Sequence, residues 1–223
     1  MSLHAGWNCE TLVRASFKGA ALYFADAVSR VPADTWERPG LGVWSVRALV
    51  GHTSRALITV ESYLNAGAEQ VTIASAADYY MGALAQAADG APADEKAALD
   101  EAVAERGRQA GLALGPDPAG AVRDIAKRVT ARVDAAADTA LVGTPWGGMA
   151  LIDYLPTRTL ELTIHTMDLI AALSLDQAEP APDEAVAVTF ALIGELAHRR
   201  RLDSDLLLAA TGRRALPSGY TVL

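Results

Sequence analysis

Residues 149–174, MALIDYLPTRTLELTIHTMDLIAALS, decide how the chain is read. Read at helical period, Leu155, Leu162 and Leu169 flank one side of an apolar face, and Leu160 and Ile164 flank the other. Down the middle of that face run Arg158, Glu161, His165 and Asp168, spaced 3, 4 and 3. At about 100° per residue these four occupy an arc of roughly 80°. Tyr154 and Ala172 fall inside the arc, while Thr159, Thr163 and Thr166 lie on the far side. A core-facing seam is ordinarily leucine at these positions. Burying a guanidinium, an imidazole and two carboxylates there is costly unless each is paired or ligated. Two arrangements satisfy them. One is an internal ion network, Arg158 with Glu161 and His165 with Asp168. The other uses Glu161 and His165, at i and i+4, to chelate one divalent ion. An ExxxH pair is a weak signal alone, because it recurs by chance, and it needs a third ligand.

The chain has four histidines and one cysteine. His4 lies near the N-terminus, and His198 adjoins Arg199, Arg200 and Arg201 at a helix end, so both read as solvent-facing. His52 differs. It falls mid-helix, on a face shared with Ser45, Leu49, Ala56, Thr59 and Tyr63, where small neighbours leave room beside the imidazole. A lone buried histidine is ordinarily a hydrogen-bonded core residue; beside an ExxxH stripe it is a candidate ligand. Cys9, the single cysteine, excludes an intramolecular disulfide framework and an all-cysteine metal site, and points to a reducing, cytoplasmic setting.

Outward from the stripe, the chain reads as helix after helix. Its 223 residues are 51% hydrophobic and 21% charged, enough for a sizeable core in a single domain over 1–223. The pattern predicts helices over 8–31, 45–66, 75–88, 94–114, 119–137, 149–174 and 180–200. The segments 32–43 and 142–148, with Pro39, Gly40, Gly42, Pro145, Gly147 and Gly148, read as loops. After about residue 203 a short extension carries apolar pieces at 206–210 and 220–223, whose spacing allows a small hairpin or a wrap around the helices. All-α, a helix bundle, is the expected class. The net charge of −8 argues against a nucleic-acid groove and against an anionic membrane surface. The apolar runs fall far short of the ~20 residues a membrane span requires. Glu10, Arg14, Lys18 and Asp26 interrupt anything resembling a secretory leader.

Several of these residues form a pattern. Trp36-x-x-Pro39-x-x-x-x-Trp44-Ser45-x-x-x-Leu49-Val50-x-His52 resembles the N-terminal signature of the mycothiol-dependent maleylpyruvate isomerase-like proteins, within the DinB-like superfamily of metal-binding four-helix bundles. Thr144-Pro145-Trp146-Gly147, followed by Arg158-x-x-Glu161-x-x-x-His165-x-x-Asp168, is similar to that family's second metal segment. The tail, Thr211-Gly212-Arg213 to Leu216-Pro217-x-Gly219-Tyr220, resembles the ending of many members.

The resemblance spans nearly the whole chain. It implies a DinB-like four-helix bundle with extra short helices, and one divalent metal, expected to be zinc, on His52, Glu161 and His165. It also implies a low-molecular-weight thiol, mycothiol or another, as cosubstrate attacking a small electrophile in S-transfer or isomerisation. Asp168 would support His165, and Arg158 would pair with a carboxylate of thiol or substrate. The partners implied are small molecules, with the chain a monomer or homodimer. The family's type enzyme has a larger C-terminal α/β domain supplying a substrate-binding arginine. Here only a short tail follows, with Arg213 and Arg214 as candidates, so maleylpyruvate itself is poorly supported. A non-catalytic metal-binding stress or interaction protein of the same fold is the alternative, and a metal-free bundle holding an ion network is a third. Trp36, Trp44 and Trp146 are expected to pack loops onto helix ends rather than to wall a cleft.

Overall fold

Four helices pack in a closed ring: α1 (Glu10–Ser29) and α2 (Val46–Ala66) each lie against both α5 (Pro118–Asp134) and α6 (Leu151–Leu173). The computed structural model describes residues 10–86, 93–175 and 178–223. His4, Cys9 and the ends of two expected helices, at 8–9 and 87–88, lie outside the described residues. The ring encloses an apolar core in which Phe17, Phe24, Leu49, Leu57, Leu155 and Leu162 are fully buried. Each such side chain contributes ~1.5–3 kcal/mol over its exposed state.

Around the ring, α3 (Ala76–Gln86) and α7 (Asp183–Arg199) cover α6, and α4 (Ala93–Ala113) lies along α2. Packed by α1, α2, α3 and α7, helix α6 is buried nearly all round. Thr159, Thr163 and Thr166, on the side away from the charged stripe, are inside too. Thr159 and Thr166 satisfy their hydroxyls by donating to the carbonyls of Leu155 and Leu162.

The helix starts have local causes. Ser45 caps α2, its hydroxyl accepting from the Ala48 N–H at 3.2 Å. Asp117 does the same for α5 from Gly120 N–H, with Pro118 in the first turn. Ser75 caps α3 through the Asp78 N–H and donates back to the Asp78 carboxylate.

Two segments expected as loops contain short antiparallel hairpins. Pro39–Leu41 (β1) pairs with Trp44–Ser45 (β2), and Leu141–Thr144 (β3) with Gly147–Ala150 (β4). In the second, Pro145 and Trp146 form a two-residue turn between the strands. Gly148 accepts from the N–H groups of Thr72 and Ile73, and a Cβ there would overlap the Gln70 carbonyl. That close approach holds the hairpin against the chain leaving α2. The tail also differs from expectation. Residues 206–210 belong to a helix, α8 (Asp203–Ala210), rather than a strand, with Asp203 and Asp205 in its first turn. The remaining chain is irregular, anchored by Val222 and by Tyr220 donating to the Leu202 carbonyl.

Helices α2 and α4 cross through glycines. A Cβ on Gly51 would overlap the Gly111 nitrogen and crowd the Gly107 carbonyl. Gly51→Ala is therefore expected to destabilise the protein by ~3 kcal/mol, as overpacking between backbones does. Chemical denaturation checks this, and an unchanged midpoint contradicts it.

Candidate metal centre

Helices α2 and α6 run antiparallel: His52 faces His165 with ring centroids 5.0 Å apart, and Tyr63 faces Tyr154 at 5.7 Å. This crossing brings the mid-helix histidine of one element to the charged stripe of the other. One ligand atom from each of His52, Glu161 and His165 lies within 4.8 Å of the other two.

The orientations are individually fixed. Asp168 Oδ2 lies 3.0 Å from His165 Nδ1, so the neutral imidazole holds its proton at Nδ1 and turns the Nε2 lone pair inward. Tyr80 on α3 donates to Glu161 Oε1 at 2.7 Å. That leaves Oε2 facing His165 Nε2 at 3.3 Å. In the metal-free protein this is an ion pair whenever His165 is protonated, longer than the ~2.7–2.9 Å usual for a charge-assisted hydrogen bond. By contrast, two ligands bonded at ~2.0–2.1 Å to one tetrahedral ion sit about 3.4 Å apart, which matches. His52 makes no hydrogen bond among the described residues, unlike a satisfied core histidine. The donor set, two imidazole nitrogens and one carboxylate oxygen, fits a zinc-type ion. Asp168 turns to His165 rather than joining the three.

Arg158 is buried, its guanidinium 5.3 Å from the Tyr79 ring centroid and 5.1 Å from that of Tyr154. Its Nε donates to Thr157 Oγ1, and it makes no salt bridge to Glu161. The Arg158–Glu161 half of an internal ion network is thus not formed as a contact pair. The His165–Asp168 half is.

The tryptophans divide. Trp36 packs as expected, buried under the Arg47 guanidinium. Trp44 and Trp146 do not merely pack loops. The Trp44 ring sits 4.5 Å from His52 and 6.1 Å from His165, walling the triad. The β3–β4 turn carries Trp146 into the lining of a cavity of about 540 Å³ that His52 and Glu161 also line. Sequence reasoning missed further lining residues: Tyr79 and Tyr80 from α3, Arg55 from α2 and Arg106 from α4. Only Arg55 carried a usable signal, lying one turn from His52 on its own helix. Arg213 and Arg214 do not reach the cavity; Arg214 pairs with Asp205, and Arg213 donates to the Thr211 carbonyl. His198 is solvent-facing as expected, paired with Asp203.

The metal-free protein is expected to be most stable near pH 6.5. Burial, then the charge of His165, pushes His52 down from 6.5 to about 4. Burial also works against the His165 charge, but hydrogen bonds and charges from Asp168 and Glu161 outweigh it and hold His165 at about 9. At His52 the folded state binds fewer protons than the unfolded state, so stability falls as pH drops from 6.5 toward 4. At His165 it binds more, so that contribution is lost as pH rises from 6.5 through 9. Thermal midpoints measured from pH 4 to 9 check this; a profile rising or falling throughout contradicts it.

No helix among the described residues is long and apolar enough to cross a membrane. Compared with known protein families, with curated proteins and with solved structures, the chain matches none of them.

Proposed function

We propose that the chain is a DinB-like metal-binding bundle, resembling the mycothiol-dependent maleylpyruvate isomerase-like proteins, and that it is an enzyme. In this reading it uses a low-molecular-weight thiol as nucleophile on a small electrophile. The observation that carries the reading is the convergence of one ligand atom each from His52, Glu161 and His165, beside a cavity that His52 and Glu161 line and that is large enough for a small substrate.

The chemistry a divalent ion supplies when bound there is to favour the thiolate over the thiol at neutral pH. The chain's own residues do the rest. Tyr80 keeps its proton, because burial and then the Glu161 charge push its pKa up, and it holds the Glu161 carboxylate in one orientation. Asp168 holds the Nδ1 proton of His165. Trp44 packs against the His52 ring at 4.5 Å and lies 6.1 Å from that of His165. Three converging protein ligands, with Asp168 engaged elsewhere, support a centre that keeps a position for an incoming group. The sulfur then forms a bond to the electrophilic carbon. The thiol proton passes to solvent, and the leaving group departs with its electron pair, or the sulfur itself leaves once an isomerisation is complete.

The test is thiol-dependent conjugation of an aryl halide by protein stripped with a chelator and then reloaded with zinc. Turnover is expected to vanish on stripping and return on reloading. Equal rates in both forms would overturn the metal-dependent reading.

A further inference from the structure

The cavity beside the triad has an unbalanced lining. Arg55, Arg106 and Arg158 reach it from three different helices. The one carboxylate in its wall, Glu161, is already engaged by Tyr80 and faces His165. Among the described residues, none of the three arginines makes an ion pair. Trp146 adds a buried indole N–H with no acceptor. In a chain of net charge −8, this concentration of cationic groups without contact ion pairs is local and opposite in sign to the whole.

Burying a guanidinium without a contact ion pair is unfavourable; Arg158 has only the nearby Glu161 charge, which His165 and Tyr80 already engage, and the tyrosine faces beside it offset part of the rest. Because α2 and α6 are antiparallel, Arg55 lies one turn beyond His52 and Arg158 one turn before Glu161, displaced the same way along the cavity. That displacement is about 5 Å at a rise of 1.5 Å per residue.

We infer that the cavity binds a small organic oxyanion, with its carboxylate or phosphate on Arg55 and Arg158 one helical turn from the triad and with Arg106 at the mouth. A guanidinium fork matches the two oxygens of either group. The ligand class rests on reading this cavity as the active site, but its binding requires neither metal nor turnover.

The experiment is calorimetric titration of the metal-free protein at low salt with succinate, with inorganic phosphate and with the uncharged succinamide. Succinate and phosphate are expected to bind and succinamide not to. Succinate the tighter of the two marks a carboxylate ligand, and phosphate the tighter marks a phosphate ester. Arg55→Gln and Arg106→Gln are each expected to weaken the bound anion roughly tenfold. Both residues are less buried than Arg158, so these variants should fold. Arg132→Gln, on an exposed residue outside the cavity, is expected to change the affinity less than about twofold. Wild-type affinity for succinate in the Arg55→Gln, Arg106→Gln double variant overturns the inference, as does succinamide binding as tightly as succinate. Zinc content read on the same samples separates the two readings. Anion binding by a wild type that takes up no zinc would uphold this inference while ending the metal-dependent one.

Discussion

His165→Ala protein is expected to purify without stoichiometric zinc, and His52→Ala and Glu161→Gln protein likewise. The argument starts from the convergence of the three ligand atoms within 4.8 Å. No other acidic or histidine group among the described residues joins them, so each loss leaves two ligands competing with water. Removing a partner that merely orients a ligand lowers metal affinity by about 10–100-fold. Removing a ligand should therefore cost more than about a hundredfold. The orienting partners supply the graded control: Tyr80→Phe frees Glu161 Oε1 and Asp168→Asn frees His165 Nδ1, and both are expected to fall within the ~10–100-fold range. Metal analysis of purified protein, with competition by a chelating dye, reads all five variants. An internal ion network without metal predicts no zinc in the wild type either, and that result, or unchanged stoichiometry in the His52 and His165 variants, would sink the assignment.

The parts of this site legible in the sequence are those that helical periodicity exposes. Arg158, Glu161, His165 and Asp168 stand on one face because 3 and 4 residue spacings do so in any helix. Ser45 marked the start of α2 because its hydroxyl has one local task, accepting from the third residue on. His52 was reachable from its mid-helix place among small same-face neighbours, by contrast with the other three histidines, and from the Trp36 to His52 pattern. Nothing in a single sequence tells which face of α3 or α4 turns toward α6, so Tyr80 and Arg106 stayed invisible until the packing was known. The hairpins were missed for a related reason: strands of two to four residues are too short to show alternation, and their glycines and Pro145 read as breakers. That mattered functionally, because the β3–β4 turn is what brings Trp146 into the cavity. In the tail two readings were open, a small hairpin or a wrap around the helices. Gly212, Pro217 and Gly219 allowed the hairpin, but the apolar run before them continues a helix begun at Asp203, and the irregular chain after them is anchored by Tyr220 and Val222.

Turnover of an electrophile is expected to depend wholly on added thiol and to survive Cys9→Ser. Cys9 has no histidine within four residues of it, and an unassisted cysteine near pH 7 is only a few per cent thiolate at its ordinary pKa of ~8.5. The environment that would ionise a sulfur is instead the triad, where His52 is already neutral near pH 7 and His165 would become a neutral nitrogen ligand once a metal displaces its Nε2 proton. The cavity leading to that triad, about 540 Å³, accommodates an external thiol together with a small partner. Omitting thiol should thus lower the rate to the uncatalysed background, a loss larger than any single substitution outside the triad produces. The rate should also depend on which thiol is supplied, because the lining presents three arginines and an indole N–H to whatever group the thiol carries. Stopped assays with wild type and Cys9→Ser, each with and without thiol at fixed zinc loading, separate the cases. A folded, zinc-loaded Cys9→Ser protein without activity would place the nucleophile on the chain, and equal turnover with and without thiol would remove the external nucleophile altogether. Full zinc loading with no turnover across a panel of thiols and electrophiles would instead favour a metal-binding bundle that does not catalyse, since the triad would then be holding its ion for stability or for a partner rather than for chemistry.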